Sequence, residues 1–232
     1  MFFAWTKATF DGQSVDFWNQ AKQLADIEFR EVVDVKREAM QVSFSVRHAF
    51  TVGNGNEQVD ALDEIWTVTI HQTPKDYFMF DIESVQKCAT TEPLVLEKYH
   101  YGGMAFRGNT QWLRERNDHS IRPGELRYLT SEGKGRSDGN HTRPDWVAFT
   151  GKLDGQEVST AIFCSPQNFR AHQHVRIHPS KPYFCFAPMV DGSFQITPGK
   201  QYRSNYRYLV MSKAADEETI QRHWKHYVAE SK

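Results

Sequence analysis

The sequence predicts an all-β protein, an antiparallel β-sandwich that carries one α-helix at its C-terminus. Three observations predict it: apolar and polar residues alternate over many stretches, turn residues separate those stretches, and helical periodicity is confined to the end of the chain. Alternation with a period of two is typical of half-buried strands. Many strands, separated by turn signals and followed by one helix, favour a single sandwich domain.

The clearest strands lie in the first half of the chain. From residue 40 onwards apolar side chains occupy alternate positions, and turn residues at 53–56 and 73–76 reverse the chain. Before them, residues 16–24 predict only a short helical turn. We expect an antiparallel meander whose core positions are Val42, Phe44, Val46, Phe50 and Val52, then Trp66, Val68 and Ile70, then Phe78, Phe80 and Ile82.

Further strands follow in the second half, and a long polar segment interrupts them. Residues 114–145 are rich in turn residues and predict a loop, and loops of this length are often functional. The remaining extended stretches are 94–101, a hairpin of 146–150 with 158–164, then 182–188 and 202–211.

The end of the chain predicts the helix. Acidic residues 216–218 suit the first turn beside the positive helix terminus, and Ile220, Trp224 and Val228 form one apolar stripe. We expect residues 1–212 to form the sandwich and residues 213–232 to form a helix packed on it.

Composition excludes several classes of protein. The 28 Lys and Arg residues nearly balance the 29 Asp and Glu residues, which argues against a nucleic-acid partner. No apolar run approaches the ~18 residues that span a bilayer, and the start lacks the basic region of a signal peptide. Cys88, Cys164 and Cys185 are odd in number and lack a CxxC spacing, so they are interpreted as buried small hydrophobes. The cellular location is left open.

One segment of the sequence, Asn168 to His178, concentrates basic and titratable residues. If the segment is extended, alternation places Arg170, His172, His174, Arg176 and His178 on one face, and Phe169, Ala171, Gln173, Val175 and Ile177 on the other. Such a face is either simply solvated or lines a concave site for a polar or anionic ligand.

A metal site is one interpretation of this segment. Imidazoles two residues apart on a strand, such as His172 and His174, converge on one ion, and His178, Glu132 or a more distant histidine would be a third ligand. Arg170 and Arg176 flank the pair, and their fixed positive charges disfavour a cation. The sequence therefore predicts no bound cofactor.

A polar organic ligand suits the segment better. Arginine forks recognise carboxylates or hydroxyl pairs, and a histidine transfers protons near neutral pH. Glu132, in its glycine-rich loop, is the first choice for a carboxylate partner, with Asp145 second. Tyr99 to Gly103 offers hydroxyls and an imidazole beside flexible backbone. Aromatic side chains that are candidates for stacking on a sugar ring are Trp5, Trp18, Trp112 and Trp146.

With these residues in place, the chain resembles the PmoA-like family of bacterial proteins, also called DUF6807. The matching elements follow the order of the family and reach nearly to the terminal helix. They are residues 15–18, Tyr101 to Arg107, Ser131-Glu132-Gly133, Asp145-Trp146-Val147 with Gly151, Pro166-x-Asn168-x-Arg170, His174-x-Arg176, 183–188 and 199–208.

The resemblance implies a soluble β-sandwich similar to the galactose-mutarotase supersandwich, and a role with carbohydrates, because genes of the family often accompany sugar oxidoreductases and isomerases. No established activity comes with it, and the label of methane oxygenase attached to the family is misleading. Related sequences usually place a His-His-Arg-Gly-like element upstream of the match to residues 2–5, so we expect some N-terminal strands of the family to be missing from this chain.

The leading hypothesis is a carbohydrate-active protein that binds a sugar or sugar acid on the concave sheet face. His174 and Glu132 are the predicted acid–base pair for an epimerase, lyase or hydrolase. The predicted substrate-binding residues are Arg107, Arg170, Arg176, His172, Tyr101, Asn168 and Trp146. The alternatives are a non-catalytic sugar-binding or assembly module with a decayed site, and an oxygenase with a histidine-bound metal. A homo-oligomer is left open.

Overall fold

The computed structural model describes residues 1–53, 57–114 and 125–230. Within these ranges it contains one α-helix, α1 (Glu217–Glu230), and sixteen strands. The strands are β1 (Phe2–Ala4), β2 (Ala8–Phe10), β3 (Gln13–Val15), β4 (Ala25–Arg37), β5 (Gln41–Val52), β6 (Val59–His71), β7 (Tyr77–Cys88), β8 (Leu94–Leu96), β9 (Gly103–Arg107), β10 (Leu126–Thr130), β11 (Trp146–Leu153), β12 (Gln156–Cys164), β13 (Val175–Ile177), β14 (Tyr183–Phe186), β15 (Phe194–Ile196) and β16 (Gln201–Met211).

The large sheet has eight antiparallel strands in the order β10-β11-β12-β16-β7-β6-β5-β4. The predicted meander forms its β5-β6-β7 section. Inward-facing residues alternate with outward-facing ones along a strand, which is why the sequence pattern identifies these three. Two of the expected core positions are wrong, because Val42 and Phe78, near strand ends, are exposed. Strand β4 was not predicted, because apolar and charged residues alternate only over 25–29 before two register shifts, after Phe29 and Val32, break the period. Its later apolar residues are exposed, and Val35 is 54% exposed.

Two four-stranded sheets, β1-β9-β14-β13 and β15-β8-β2-β3, lie over one face of the large sheet. Buried side chains of all three sheets form one core there, which includes Trp5, Phe50, Phe184 and Tyr206. Burying a large apolar side chain stabilises a fold by about 1.5–3 kcal/mol, so this interface holds the layers together. The predicted antiparallel sandwich is confirmed.

The helix α1 packs on the opposite face of the large sheet. Alternation along β11 sends Val147 and Phe149 into the sandwich core and Trp146 towards the helix, where it meets Ile220 and Trp224. The Asp216 carboxylate accepts a hydrogen bond from the backbone N–H of Thr219 at 3.2 Å and caps the first turn. The predicted helix is confirmed, with residues 231–232 outside the described range. Within the described chain no helix is both long and apolar enough to cross a membrane.

Three local predictions are wrong. The segment from Asn168 to His178 is extended only at β13, because Asn168 and Gln173 turn into the interior and Arg170 has a left-handed φ of +59°. The predicted loop over 114–145 contains β10, although residues 115–124 lie outside the described ranges, as do 54–56 of the predicted turn. The helical turn expected at 16–24 is reduced to a 3-10 turn at Gln20–Lys22.

Candidate functional site

The candidate site lies on the outer face of the small sheet β1-β9-β14-β13. Val175 and Ile177 point into the core, so Arg176 between them points outwards. In the register of the sheet Arg176 lies beside Cys185, and Cys185 lies beside Ala105. We call this surface the His–Arg face, and its polar side chains are Arg107, Arg176, His100, His141, His174 and His178.

Arg176 is the centre of the His–Arg face. Its positive charge acts to lower the pKa of four neighbouring groups, those of His100, His141, His178 and Tyr183. Its Nη1 donates to Asn140 Oδ1 at 3.2 Å, but its Nε is buried and has no hydrogen-bond partner in the described part of the chain. A buried donor without an acceptor is costly, and the described residues supply no acceptor for this Nε.

The positive charge around Arg176 is not balanced by ion pairs. The Arg107 guanidinium stacks on the Tyr183 ring at 5.2 Å, and that of Arg136 stacks on the Tyr128 ring at 4.8 Å. Over the described ranges none of Arg107, Arg136 and Arg176 forms a salt bridge with an acidic side chain. Clustered arginines of this kind favour an anionic ligand.

Three imidazoles on this face, those of His100, His141 and His178, have lowered pKa values. Burial and then the charge of Arg176 lower the pKa of both His100 and His141. Burial, followed by Arg176, Lys181, Arg136 and Arg107, lowers the pKa of His178 to about 4. His178 Nδ1 accepts the backbone N–H groups of Ser180 and Lys181 at 3.1 and 2.9 Å, which also requires an unprotonated nitrogen.

His174 is fixed at both ring nitrogens. Its Nε2 lies 3.0 Å from Asp191 Oδ1, and its Nδ1 lies 2.9 Å from the carbonyl oxygen of His141. Asp191 also pairs with Arg143. His172 Nδ1 contacts a different carboxylate, that of Asp145, at 2.7 Å. No group of three or more His, Cys, Asp or Glu side chains within the described residues is placed to hold a metal ion.

Aromatic rings border the His–Arg face. Small residues such as Ala105 and Cys185 let the rings of Trp18 and Tyr101 pack closely on the sheet, with their centroids 5.0 Å apart. Trp18 also lies 6.3 Å from the ring of Tyr183. Trp18 and Tyr101 keep partial exposure, so they offer ring surface beside the arginines.

The predicted site residues separate into two groups. His174, Arg176, Arg107 and Tyr101 come together on the His–Arg face. The other five are placed elsewhere, namely Glu132, Asn168, Arg170, His172 and Trp146.

Among these five, Asn168 and Arg170 bind backbone. Asn168 is buried and exchanges hydrogen bonds with the backbone of Asn205 at 2.9 and 2.7 Å. Arg170 Nη1 donates to the carbonyl oxygens of Pro188 and Gly192 at 2.7 Å each, and its Nη2 donates to that of Ser193 at 3.1 Å.

Trp146 and Glu132 also have partners away from this face. The Trp146 indole is fully buried beneath α1 and donates to Gln221 Oε1 at 2.9 Å. Glu132 lies in the turn after β10, where Lys134 Nζ lies 3.2 Å from its carboxylate. His174 and Glu132 therefore share no hydrogen bond.

Sequence reasoning missed Asn140, His141, Tyr183 and Asp191. His141 and Asn140 lie in the turn-rich region before β11, where no periodic pattern indicates which way a side chain points. Tyr183 was treated only as part of a strand. The pairing of β13 with β14 would have revealed its role, because it places the Tyr183 ring 4.9 Å from the His178 ring.

The comparisons with known proteins identify a family without an assigned activity. The model of a family of unknown function, DUF6807, matches residues 1–225. No curated protein matches the chain. Because the family match spans nearly the whole sequence, the chain belongs to the DUF6807 family.

Proposed function

We propose that the protein is a carbohydrate-binding protein whose His–Arg face binds a sugar acid. The observation that carries the proposal is Arg176, a partly buried guanidinium with an unpartnered Nε and no carboxylate pair among the described residues. A ligand carboxylate is the acceptor that fits a guanidinium best, through two parallel hydrogen bonds.

The surrounding charge supports an anionic ligand. The cations near this face include Arg107, Arg136 and Lys181, whose charges help to lower the pKa of His178. The lowered pKa values of His100, His141 and His178 keep these three rings neutral at pH 7, so they do not repel one another. Asp191, the acidic side chain nearest to His174, is occupied by His174 and Arg143. A carboxylate that enters this face gains attraction from several cations at once.

The aromatic border supports a sugar as the body of that ligand. Trp18 and Tyr101 present partly exposed rings on the same face of the small sheet as Arg176, and the apolar C–H face of a pyranose packs on such rings while its hydroxyls face polar groups. Hydroxyl partners are available at His100, His141 and Asn140.

The candidate general base at this face is His100 or His141. Each is a neutral imidazole beside Arg176, and abstraction next to a bound carboxylate is the step shared by sugar-acid epimerases and lyases. The pair predicted from the sequence, His174 with Glu132, has no shared contact to support it. Binding without turnover is the second candidate, and the double engagement of the His174 ring favours it.

The test is calorimetric titration with glucuronate, galacturonate and gluconate, each beside its uncharged counterpart. We expect at least one acid to bind roughly ten times more tightly than its neutral partner, and Arg176→Gln to weaken that acid by about 30- to 100-fold, the effect of losing charge-assisted hydrogen bonds. The matched control is Arg203→Gln, an arginine paired with Glu83 on the large sheet, which should leave binding unchanged. Failure of all three acids to bind, or a bound acid whose affinity Arg176→Gln leaves unchanged, contradicts the proposal.

A further inference from the structure

A second cavity, of about 440 Å³, lies between β1 and the inner face of β5 and β6. Its volume is within the ~300–1,000 Å³ range of small-molecule pockets. The side chains that carry the argument are Phe17, Trp18, His48, Glu64 and Trp66. Among the described residues no lysine or arginine lines it, so its chemistry differs from that of the His–Arg face.

A buried carboxylate is built into the wall of this cavity. Glu64 is 1% exposed, and its Oε1 accepts hydrogen bonds from Ser84 Oγ at 2.6 Å and from Gln86 Nε2 at 2.8 Å. The Gln86 amide is itself oriented by Trp5, whose Nε1 donates to Gln86 Oε1 at 2.7 Å. All three partners are fully buried, so the carboxylate is held rigidly.

The other carboxylate oxygen orients His48. Glu64 and His48 face each other across β5 and β6, and His48 Nδ1 lies 3.1 Å from Glu64 Oε2. In the neutral tautomer whose Nδ1–H donates to this carboxylate, the lone pair lies on Nε2. Within the described part of the chain that Nε2 has no hydrogen-bond partner, and the His48 side chain is 20% exposed.

Trp66 supplies a complementary donor. Its indole lies 5.7 Å from the His48 ring, with the planes nearly perpendicular, and its Nε1 is buried without a partner in the described residues. His48 and Trp66, which carry this acceptor and this donor, both line the cavity. Both are satisfied by a hydroxyl-bearing ligand, whose O–H groups donate and accept in turn.

We propose that this cavity is a binding site for an uncharged polyhydroxylated ring, such as a neutral monosaccharide or a cyclitol. Hydroxyls of the ring donate to His48 Nε2 and accept from Trp66 Nε1, while the apolar face of the ring packs on the aromatic wall. A cation is disfavoured because both oxygens of Glu64 already accept hydrogen bonds. The proposal does not rest on sugar-acid binding at Arg176, although Trp18 borders both sites.

The test is a ligand-observed NMR titration with glucose, galactose, mannose and myo-inositol. We expect the protein to bind at least one of them, and Trp66→Phe to weaken that ligand by roughly 5- to 10-fold, which is the loss of one buried hydrogen bond. Trp66→Phe deletes no hydrogen bond of the described protein, so it keeps the fold. His48→Gln, which retains a donor for Glu64, should weaken the same ligand similarly.

The matched control is Trp112→Phe. The Trp112 indole already donates to the Lys152 carbonyl oxygen at 2.7 Å and lies outside the cavity, so this change should lower Tm and leave the dissociation constant unchanged. Failure of all four neutral ligands to bind overturns the proposal, as does binding that neither Trp66→Phe nor His48→Gln alters. Neutral probes carry no carboxylate for Arg176, so this outcome is separate from that of the sugar-acid titration.

Discussion

Arg207 and Arg176 are each the centre of a cluster of arginine, histidine and aromatic side chains, but the clusters differ in completeness. On the helix side of the large sheet, Arg207 forms two hydrogen bonds with Asp81, at 2.6 and 2.8 Å, and a third with Glu230 at 2.7 Å. His71 completes this cluster through Asp81 at 2.9 Å. On the His–Arg face, Arg176 has no carboxylate among the described residues.

This difference teaches how to separate a structural arginine from a ligand-binding one. A buried cation whose donors are all matched is costly to remove, because its partners are left uncompensated, and it has no donor left for a ligand. A partly buried cation with an unmatched donor contributes little to stability and keeps its capacity for an incoming anion. Residue type and burial alone do not distinguish the two.

The largest expected effect is on stability, from the matched pair Arg207→Gln and Arg176→Gln. Removal of Arg207 leaves Asp81 partly buried beside His71 alone, so we expect the free energy of unfolding to fall by about 3 kcal/mol. Removal of Arg176 deletes a weakly paired charge and should change it by about 1 kcal/mol or less. Urea denaturation of both variants measures this, and equal losses would make Arg176 a structural residue.

A smaller effect is expected from the pH dependence of stability through His178. Its folded-state pKa of about 4 lies below the roughly 6.5 of an unfolded histidine, because of burial and then the nearby cations. Between these values the unfolded state binds the proton and the folded state does not. Stability is therefore fully present above pH 6.5, falls as the pH drops towards 4, and levels off below it.

The control for this second prediction is His178→Asn, whose side-chain oxygen can still accept the backbone N–H groups of Ser180 and Lys181. Urea unfolding at pH 7, 5.5 and 4 should show a smaller loss for the variant than for the wild type. Parallel pH profiles would mean that His178 titrates normally.

The smallest expected effect is on ligand affinity. Burial and Arg176 lower the pKa of His100 and His141, so both are neutral at pH 7 and gain protons only in more acidic solution. Because a bound carboxylate favours the protonated imidazoles, we expect the affinity for a sugar acid to rise a few-fold between pH 7 and pH 5. Calorimetric titration at both values tests this, with His100→Gln and His141→Gln each reducing the gain. An affinity that falls over this interval would argue against anion binding here.

Much of the fold is predictable from the sequence, because long strands with one buried face repeat every two residues, as β5, β6 and β7 do. The edge strand β4 loses this period at two register shifts, and three-residue strands such as β13 are too short to show a period. The His–Arg face is harder to predict, because Arg107, His141 and Arg176 meet only through long-range pairing of β9, β14 and β13 and through a loop. Arg176 and His174 were nevertheless identified, since their residue types are unusual beside a core strand.

The contacts of Arg170 have a consequence for any large-scale mutational scan of this protein. Its guanidinium holds three carbonyl oxygens of the segment 188–193, and that segment carries Asp191, which in turn positions His174 and Arg143. A scan scored by ligand binding would rank Arg170 with the residues that touch the ligand. The same library scored by protein abundance would rank Arg170 with the core. Only the two scores together would identify it as a residue that positions the site without contacting the ligand.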